Sequence, residues 1–447
     1  MAGKFDNGVA KVRPGTYINI GPRTDTSISV SDRGVVVIPI ANPNYGPTDK
    51  FIDITVDNAE SIKSTLGYSV YDDEPTMLPV REALKNATTV KVYQFNGETG
   101  SAVAQITKNG LTCKANYAGT RGNDFKVVVS VNALGGYDYK VYLGLNKVEE
   151  FIGYTSVADI NSSFISITGT PTEVTGSVTL TLTGGKNATT TNSNLGTFLD
   201  KLENIKFNAV AFPINTLSSS EFATIKSKIV EMRENQGKTG QFVVANFDGD
   251  YEGIINVTNG VELEDGTVIE PYMATSYVAG VTAGAEYNES NTYKEYIGAT
   301  NVHGIKSSAE ADKAITNGEF FFSISNSGKI VIEYDINSLH SKDAVANKSS
   351  AYAKNRVIRV IDTLSDDLQE AFPPGKYTND SESWDLMEGI GNSLLKEYEA
   401  DHAIKDVNYE GDFSVDKITS NTDSTYINVS ITPLDSAEKI YITVQTN

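Results

Sequence analysis

The first long apolar run in the chain is Val35-Val36-Val37-Ile38-Pro39-Ile40, with no polar interruption. Such a run suits a strand buried on both faces. Helices are expected around 58–66 and 77–86, and a strand at Val90-Lys91-Val92-Tyr93 comes after the second helix. Between residues 97 and 190 the pattern changes. Helical spacing disappears, Thr, Ser, Gly and Asn become common, and short alternating segments recur at 125–131, 137–143, 164–167 and 178–183. Short strands separated by turn residues predict a β-sandwich.

Helical spacing resumes at Leu195, where Phe198, Leu202 and Ile205 stand four and three apart, and 208–212 is the buried strand after it. Phe222, Ile225, Ile229 and Met232 then fall on one helical face. Gly237 closes that helix in the position a C-terminus favours. The next strand is 242–245. Alternation of this kind argues for an α/β layer with parallel strands. A helix of small residues runs from Pro271 to about Ala285, and another covers 308–316. Asn326-Ser327-Gly328 marks a hairpin. Two long helices, 350–372 and 383–400, flank Pro373-Pro374-Gly375, and strands are expected at 413–419, 425–432 and 439–444.

The expected organisation is α+β and multidomain. An arm (1–22) precedes the first part of an α/β domain (23–96). A β-sandwich (97–190) is inserted before the rest of the α/β domain (191–345), and a C-terminal α+β domain (346–447) ends the chain. Thr16-Tyr17-Ile18-Asn19-Ile20 is bracketed by Arg13-Pro14-Gly15 and Gly21-Pro22. A lone strand between two breakers cannot bury itself, so it reads as an arm. At the other end Ile440, Ile442 and Val444 alternate with Tyr441, Thr443 and Gln445, a second terminal strand.

Charge and composition narrow the partners. The net charge of −20 repels nucleic acid and anionic lipid. Cys113 is the only cysteine, so no intrachain disulfide and no cysteine-based zinc site can form, and a reducing cytosol fits. The segment after Met1 lacks the apolar core of an export signal. The longest apolar run, 274–285, is far short of the ~20 residues a membrane span needs. Its Gly280 and Gly284 read as close helix packing in a soluble core.

No catalytic, cofactor or metal residues emerge, and an enzyme is not expected. None of His303, His340 and His402 has another histidine at metal-ligand spacing. Gly237-Lys238-Thr239 has Met232 where a phosphate loop needs glycine. Asp248-Gly249-Asp250 opens like a calcium loop but has Asn259 at the twelfth position, so it reads as an acidic turn. One charge feature stands out. From 342 to 359 there are five basic residues (Lys342, Lys348, Lys354, Arg356, Arg359) and one acid, Asp343, whereas from Asp362 onward there are 18 acids and five lysines. The strip is either a solvated helix face or a docking face for an acidic surface. Lys354, Arg356 and Arg359 cannot all share one helical face.

Several segments together resemble the contractile tail sheath proteins of myophages, in the short form found in Gram-positive prophages and tail-like bacteriocins. They are Arg13-Pro14-Gly15-Thr16-Tyr17-Ile18, Gly34-Val35-Val36-Val37-Ile38-Pro39 with Asn44-Tyr45-Gly46-Pro47, and Tyr117-Ala118-Gly119-Thr120-Arg121-Gly122-Asn123-Asp124, the most specific. Further along they are Ala279-Gly280-Val281-Thr282-Ala283-Gly284, Lys354-Asn355-Arg356-Val357-Ile358-Arg359-Val360-Ile361-Asp362-Thr363 and Asp435-Ser436-Ala437-Glu438-Lys439-Ile440-Tyr441.

The resemblance implies a subtilisin-like α/β domain without protease chemistry, a β-sandwich domain on the outside, and a C-terminal domain facing a tail tube. It implies stacked rings of this chain around a tube protein, bounded by baseplate and tail terminator proteins. Such particles are assembled in the bacterial cytoplasm and end as a virion tail or tail-like particle. On this reading Thr16, Tyr17, Ile18, Asn19, Ile20, Ile440, Tyr441, Ile442, Thr443 and Val444 form intersubunit arms, and Lys348, Lys354, Arg356 and Arg359 face the tube. An exported β-rich adhesive or surface-layer protein is the competing reading, and it lacks an export signal here.

Overall fold

A computed structural model describes residues 33–40, 43–95, 99–172, 174–188, 194–341 and 350–445. The chain divides into two compact units. Among the described residues the larger comprises those from 33 to 366 and 433 to 445, and the smaller 367–432.

The larger unit is built on a seven-stranded sheet. From edge to edge its strands are Glu319–Phe320, Ile254–Val257, Gln241–Ala245, Ala209–Ala211, Val35–Ile40, Thr89–Gln94 and Phe51–Ile54. Neighbours pair in parallel except at the last edge, where Phe51–Ile54 runs antiparallel to Thr89–Gln94. A parallel sheet must be covered on both faces, and the side-chain alternation shows how. Val36, Ile38, Ala209, Ala211, Val243, Ile255 and Val257 enter one core with the helices Leu78–Leu84 and Pro271–Gly284. Val37, Val210, Phe242, Val244 and Ile254 enter the other, with Leu195–Leu202 and Ser219–Val230. The uninterrupted apolar runs therefore serve two cores at once.

The Pro271–Gly284 helix is buried from Ala274 to Ala283. A Cβ on Gly280 would lie 2.5 Å from the carbonyl oxygen of Ala83, and one on Gly284 2.0 Å from that of Asn86. The two glycines let this helix touch the backbone at the end of the Leu78–Leu84 helix and just beyond it. Among the described residues no helix is long and apolar enough to cross a membrane.

Between the third and fourth strands of that sheet, in chain order, lie two antiparallel sheets. One has four strands: Ser177–Thr181, Phe125–Val131, Tyr137–Leu143 and Asn146–Tyr154. The other has three: Val103–Lys108, Leu111–Ala118 and Ile165–Gly169. They share one core of Leu111, Cys113, Phe125, Val127, Val129, Tyr139, Val141, Leu180 and others. Tyr45, from the loop after Val35–Ile40, enters this same core and stands edge-on to Tyr117 at 5.5 Å.

The Tyr117–Asp124 segment makes the junction with the α/β part. Gly119 has φ +135°, and a Cβ there would lie 1.9 Å from the carbonyl oxygen of Asn44. Arg121 donates from Nε to the carbonyl of Gly67 (3.1 Å), from Nη1 to Asp124 (2.9 Å), and stacks over Tyr68. Asn123 exchanges side-chain hydrogen bonds with the backbone of Gly185. Gly119 and Arg121 thus join the β-rich insert to the segments around Asn44 and Gly67, and Asn123 ties together two parts of the insert itself.

The helix expected from residue 350 begins at Asn355 and runs to Ala371, preceded by a 3-10 turn at Ser350–Ala353. In the smaller unit, Asp380 caps the helix Ser381–Ala400 by accepting from the backbone N–H of Ser383. Phe413–Val415 and Ile427–Val429 form an antiparallel pair. The strand expected at 439–444 is not one here: among the described residues none pairs with it in a sheet.

Candidate functional site: the root of the C-terminal arm

Residues 440–445 leave the body of the subunit. Ile440, Tyr441, Ile442 and Val444 are 73–89% exposed, and Thr443 is exposed as well. Four large apolar side chains in five residues would not remain in water without a partner surface. Just before them the chain is held tightly. The side chain of Glu438 is only 8% exposed. Its carboxylate is paired with the ammonium of Lys354 and accepts from the hydroxyls of Ser290 (2.9 Å) and Thr292 (2.6 Å). Asp435 lies 3.4 Å from the same ammonium, and Arg356 donates from Nη1 to the carbonyl of Leu434. Lys354 also sits 3.9 Å from the centre of the Tyr334 ring.

These contacts continue inward. The Thr292 hydroxyl that donates to Glu438 accepts from the backbone N–H of Asp335 at 3.0 Å. Asp335 in turn accepts from Arg359 Nη2 (2.7 Å), Asn355 Nδ2 (2.9 Å) and the backbone N–H of Asn291 (2.9 Å). Both members of the Arg359–Asp335 pair are 1% exposed. Burial alone would raise the pKa of Asp335, but the Arg359 charge and these hydrogen bonds outweigh it and hold the carboxyl below its ordinary value. The arm root, the 290–292 loop, the segment around Asp335 and the first turns of the Asn355–Ala371 helix form one polar network.

Lys354, Arg356 and Arg359, the described members of the basic strip, are therefore engaged inside the subunit. Arg359 and Arg356 are buried, and Lys354 is paired with the subunit's own Asp435 and Glu438. The helix starts one residue after Lys354, so its side chain follows the turn and not the helical face. Lys354 meets acids of the subunit's own C-terminal segment, Arg359 meets Asp335, and Arg356 donates to the carbonyls of Asn288 and Leu434. Lys348 lies outside the described residues, as do Thr16, Tyr17, Ile18, Asn19 and Ile20. Asp335, Ser290 and Thr292 were not singled out from the sequence, and Asp435 and Glu438 only as members of the 435–441 segment. The available signal was an acidic pair, Asp435 and Glu438, immediately before an apolar alternating run and downstream of a basic strip.

Among the described residues no group of three or more His, Cys, Asp or Glu is placed to hold a metal ion. The acidic turn at 248–250 is satisfied by its own chain: Asp250 accepts from the backbone N–H groups of His340 and Ser341, and Asp248 pairs with the His340 ring.

The chain matches the phage tail sheath protein central domain over residues 188–338 and the phage tail sheath C-terminal domain over 347–447. It is 32% identical to protein XkdK of the phage-like element PBSX of Bacillus subtilis, over all of this chain and 99% of that protein. The crystal structure of a sheath tail protein from Desulfitobacterium hafniense is 31% identical and superposes with a TM-score of 0.80, covering 96% of this chain and 99% of that one. A chain in the contracted helical sheath of the anti-feeding prophage shares the fold at 12% identity, with a TM-score of 0.57 over 98% of this chain and 100% of that one. The chain belongs to the phage tail sheath family, a family of structural proteins and not of enzymes.

Proposed function

We propose that this subunit polymerises as stacked rings around a tail tube and shortens with its neighbours to drive that tube through a target envelope. The observation that carries the reading is the exposed apolar segment Ile440–Val444 beside a firmly held root. An unpaired strand is a template for another chain, and adding it to a neighbour's sheet uses main-chain hydrogen bonds for affinity and alternate side chains for fit. Such a contact is head-to-tail, so it propagates and does not close on itself. The 12–20 segment is assigned the same role at the other end.

On this reading 23–96 and 191–345 make the subtilisin-like domain, 97–190 the inserted β-sandwich on the outer surface, and 346–447 the domain nearest the tube, with 1–22 as the N-terminal arm. Tube, baseplate and terminator proteins are the expected partners, and assembly takes place in the bacterial cytoplasm. Contraction proceeds when subunit bodies gain complementary buried surface, and the extended form persists behind a barrier.

Purified full-length protein, concentrated at moderate salt and imaged by electron microscopy, is expected to form long hollow tubes. A chain that stays monomeric under those conditions overturns the arm-driven assembly.

A further inference from the structure

We propose that Glu438 is the fixed anchor of the C-terminal arm: it divides the segment into a root that stays with its own subunit and a strand that is given to a second copy. The inference rests on the reading of 440–445 as an intersubunit strand. Its own support is the change in environment across two residues. Glu438 is buried with three donors on its carboxylate, and Ile440 is exposed.

A strand shared between copies transmits force to the chain that precedes it. Without a fixed point, that force would draw the segment off its own body, starting at Leu434. Here the pull meets Glu438 first. Releasing it would leave the Lys354 ammonium without its nearest carboxylate and two hydroxyls without their acceptor. Beyond it come Asp435, also on Lys354, and the Leu434 carbonyl held by Arg356. The anchor is itself built on the buried Asp335–Arg359 pair through Thr292, so it belongs to the rigid part of the subunit. From Lys439 to Val444 the chain can reach about 20 Å at ~3.3 Å per residue. The receiving edge on the second copy lies within that distance of Glu438 in every state of the sheath, which limits how far neighbours can slide without parting.

The test uses the full-length chain and three variants: Glu438→Ala, Glu438→Gln and a truncation after Lys439. Limited proteolysis of the unassembled subunit reads the root, sedimentation of tubes reads assembly, and circular dichroism reads the fold. In the wild type 440–445 is expected to be cut first and 434–438 to resist. Glu438→Ala is expected to move cleavage into 434–438 and raise the concentration needed for tubes at least tenfold, with the circular dichroism of a folded subunit. Glu438→Gln, which keeps acceptors for both hydroxyls but loses the ion pair, should fall between, and it carries the test if the alanine variant does not fold. If Glu438→Ala assembles like the wild type while the truncation does not, the anchor is refuted and the arm reading stands. If the truncated chain assembles normally, the arm reading fails and the anchor fails with it.

Discussion

Asp335→Ala is expected to destabilise the subunit by about 3–5 kcal/mol, as removal of one partner from a buried ion pair typically does. The carboxylate and the Arg359 guanidinium are both fully enclosed, 2.7 Å apart. Without the carboxylate, Arg359 keeps the carbonyl of Glu289 as its acceptor among the described residues, and its Nε and Nη1 already have none there. Asn291 N–H and the Asn355 amide lose their acceptor as well. Against a total stability of about 5–15 kcal/mol, the loss should appear as a large drop in urea midpoint at pH 7. Asp335→Asn should lose less, because its amide oxygen still accepts.

Acid adds a second readout. The folded-state pKa of Asp335 is depressed. Its contribution is therefore present above the unfolded value of about 3.9 and is lost as pH falls through the lower folded value. The wild type should lose stability on acidification below about pH 4, and Asp335→Ala should lack that part of the loss. A midpoint change equivalent to less than about 1 kcal/mol at pH 7 would show that the pair contributes no more than an exposed one.

Ile442→Pro should have the opposite profile: an intact subunit that does not assemble. Ile442 is exposed and unpaired in its own subunit, and surface substitutions of this kind change stability by about 0.5 kcal/mol or less. In a shared strand, proline removes a ladder N–H and disturbs the backbone around it. Each lost bond is worth only ~1 kcal/mol net, but burial of Ile440, Ile442 and Val444 against a neighbour, at ~1.5–3 kcal/mol per side chain, depends on the same register. About 1.4 kcal/mol per contact is tenfold in affinity, and the contact recurs in every subunit. Tube yield at fixed concentration should fall at least tenfold with circular dichroism unchanged, while Ile442→Val, which keeps the β-branched side chain and the N–H, should assemble normally. Normal tubes from the proline variant would remove the C-terminal strand from the mechanism.

The fold was legible where a single physical rule dominated. Val35–Ile40 is a continuous apolar run because both faces of the sheet are covered, and 125–131, 137–143 and 308–316 carry clean periodicities of 2 or 3.6. Strands with mixed patterns were missed. Asn146–Tyr154 places charges along an edge, and Val103–Lys108 is only partly buried. The Tyr117–Asp124 motif was recognised from resemblance, but its reason lies in distant contacts: Gly119 is needed because of the backbone of Asn44, and Arg121 because of Gly67 and Tyr68. The basic strip was visible as charge, and its use was not. Lys354 and Glu438 are separated by 84 positions, and no local pattern distinguishes a lysine that meets its own chain from one that meets another. The terminal segment was legible as an alternating pattern, but a strand at 439–444 needs a partner edge, and none of the described residues supplies one.

Cryo-EM of tubes assembled from the full-length chain tests the central claim most directly, by locating residues 434–445. The account predicts that 440–444 are hydrogen-bonded as a strand to a sheet of another copy, while Glu438 remains on Lys354, Ser290 and Thr292 of its own. Tubes in which 440–444 fold back on their own subunit, or lie free of any neighbour, would contradict it.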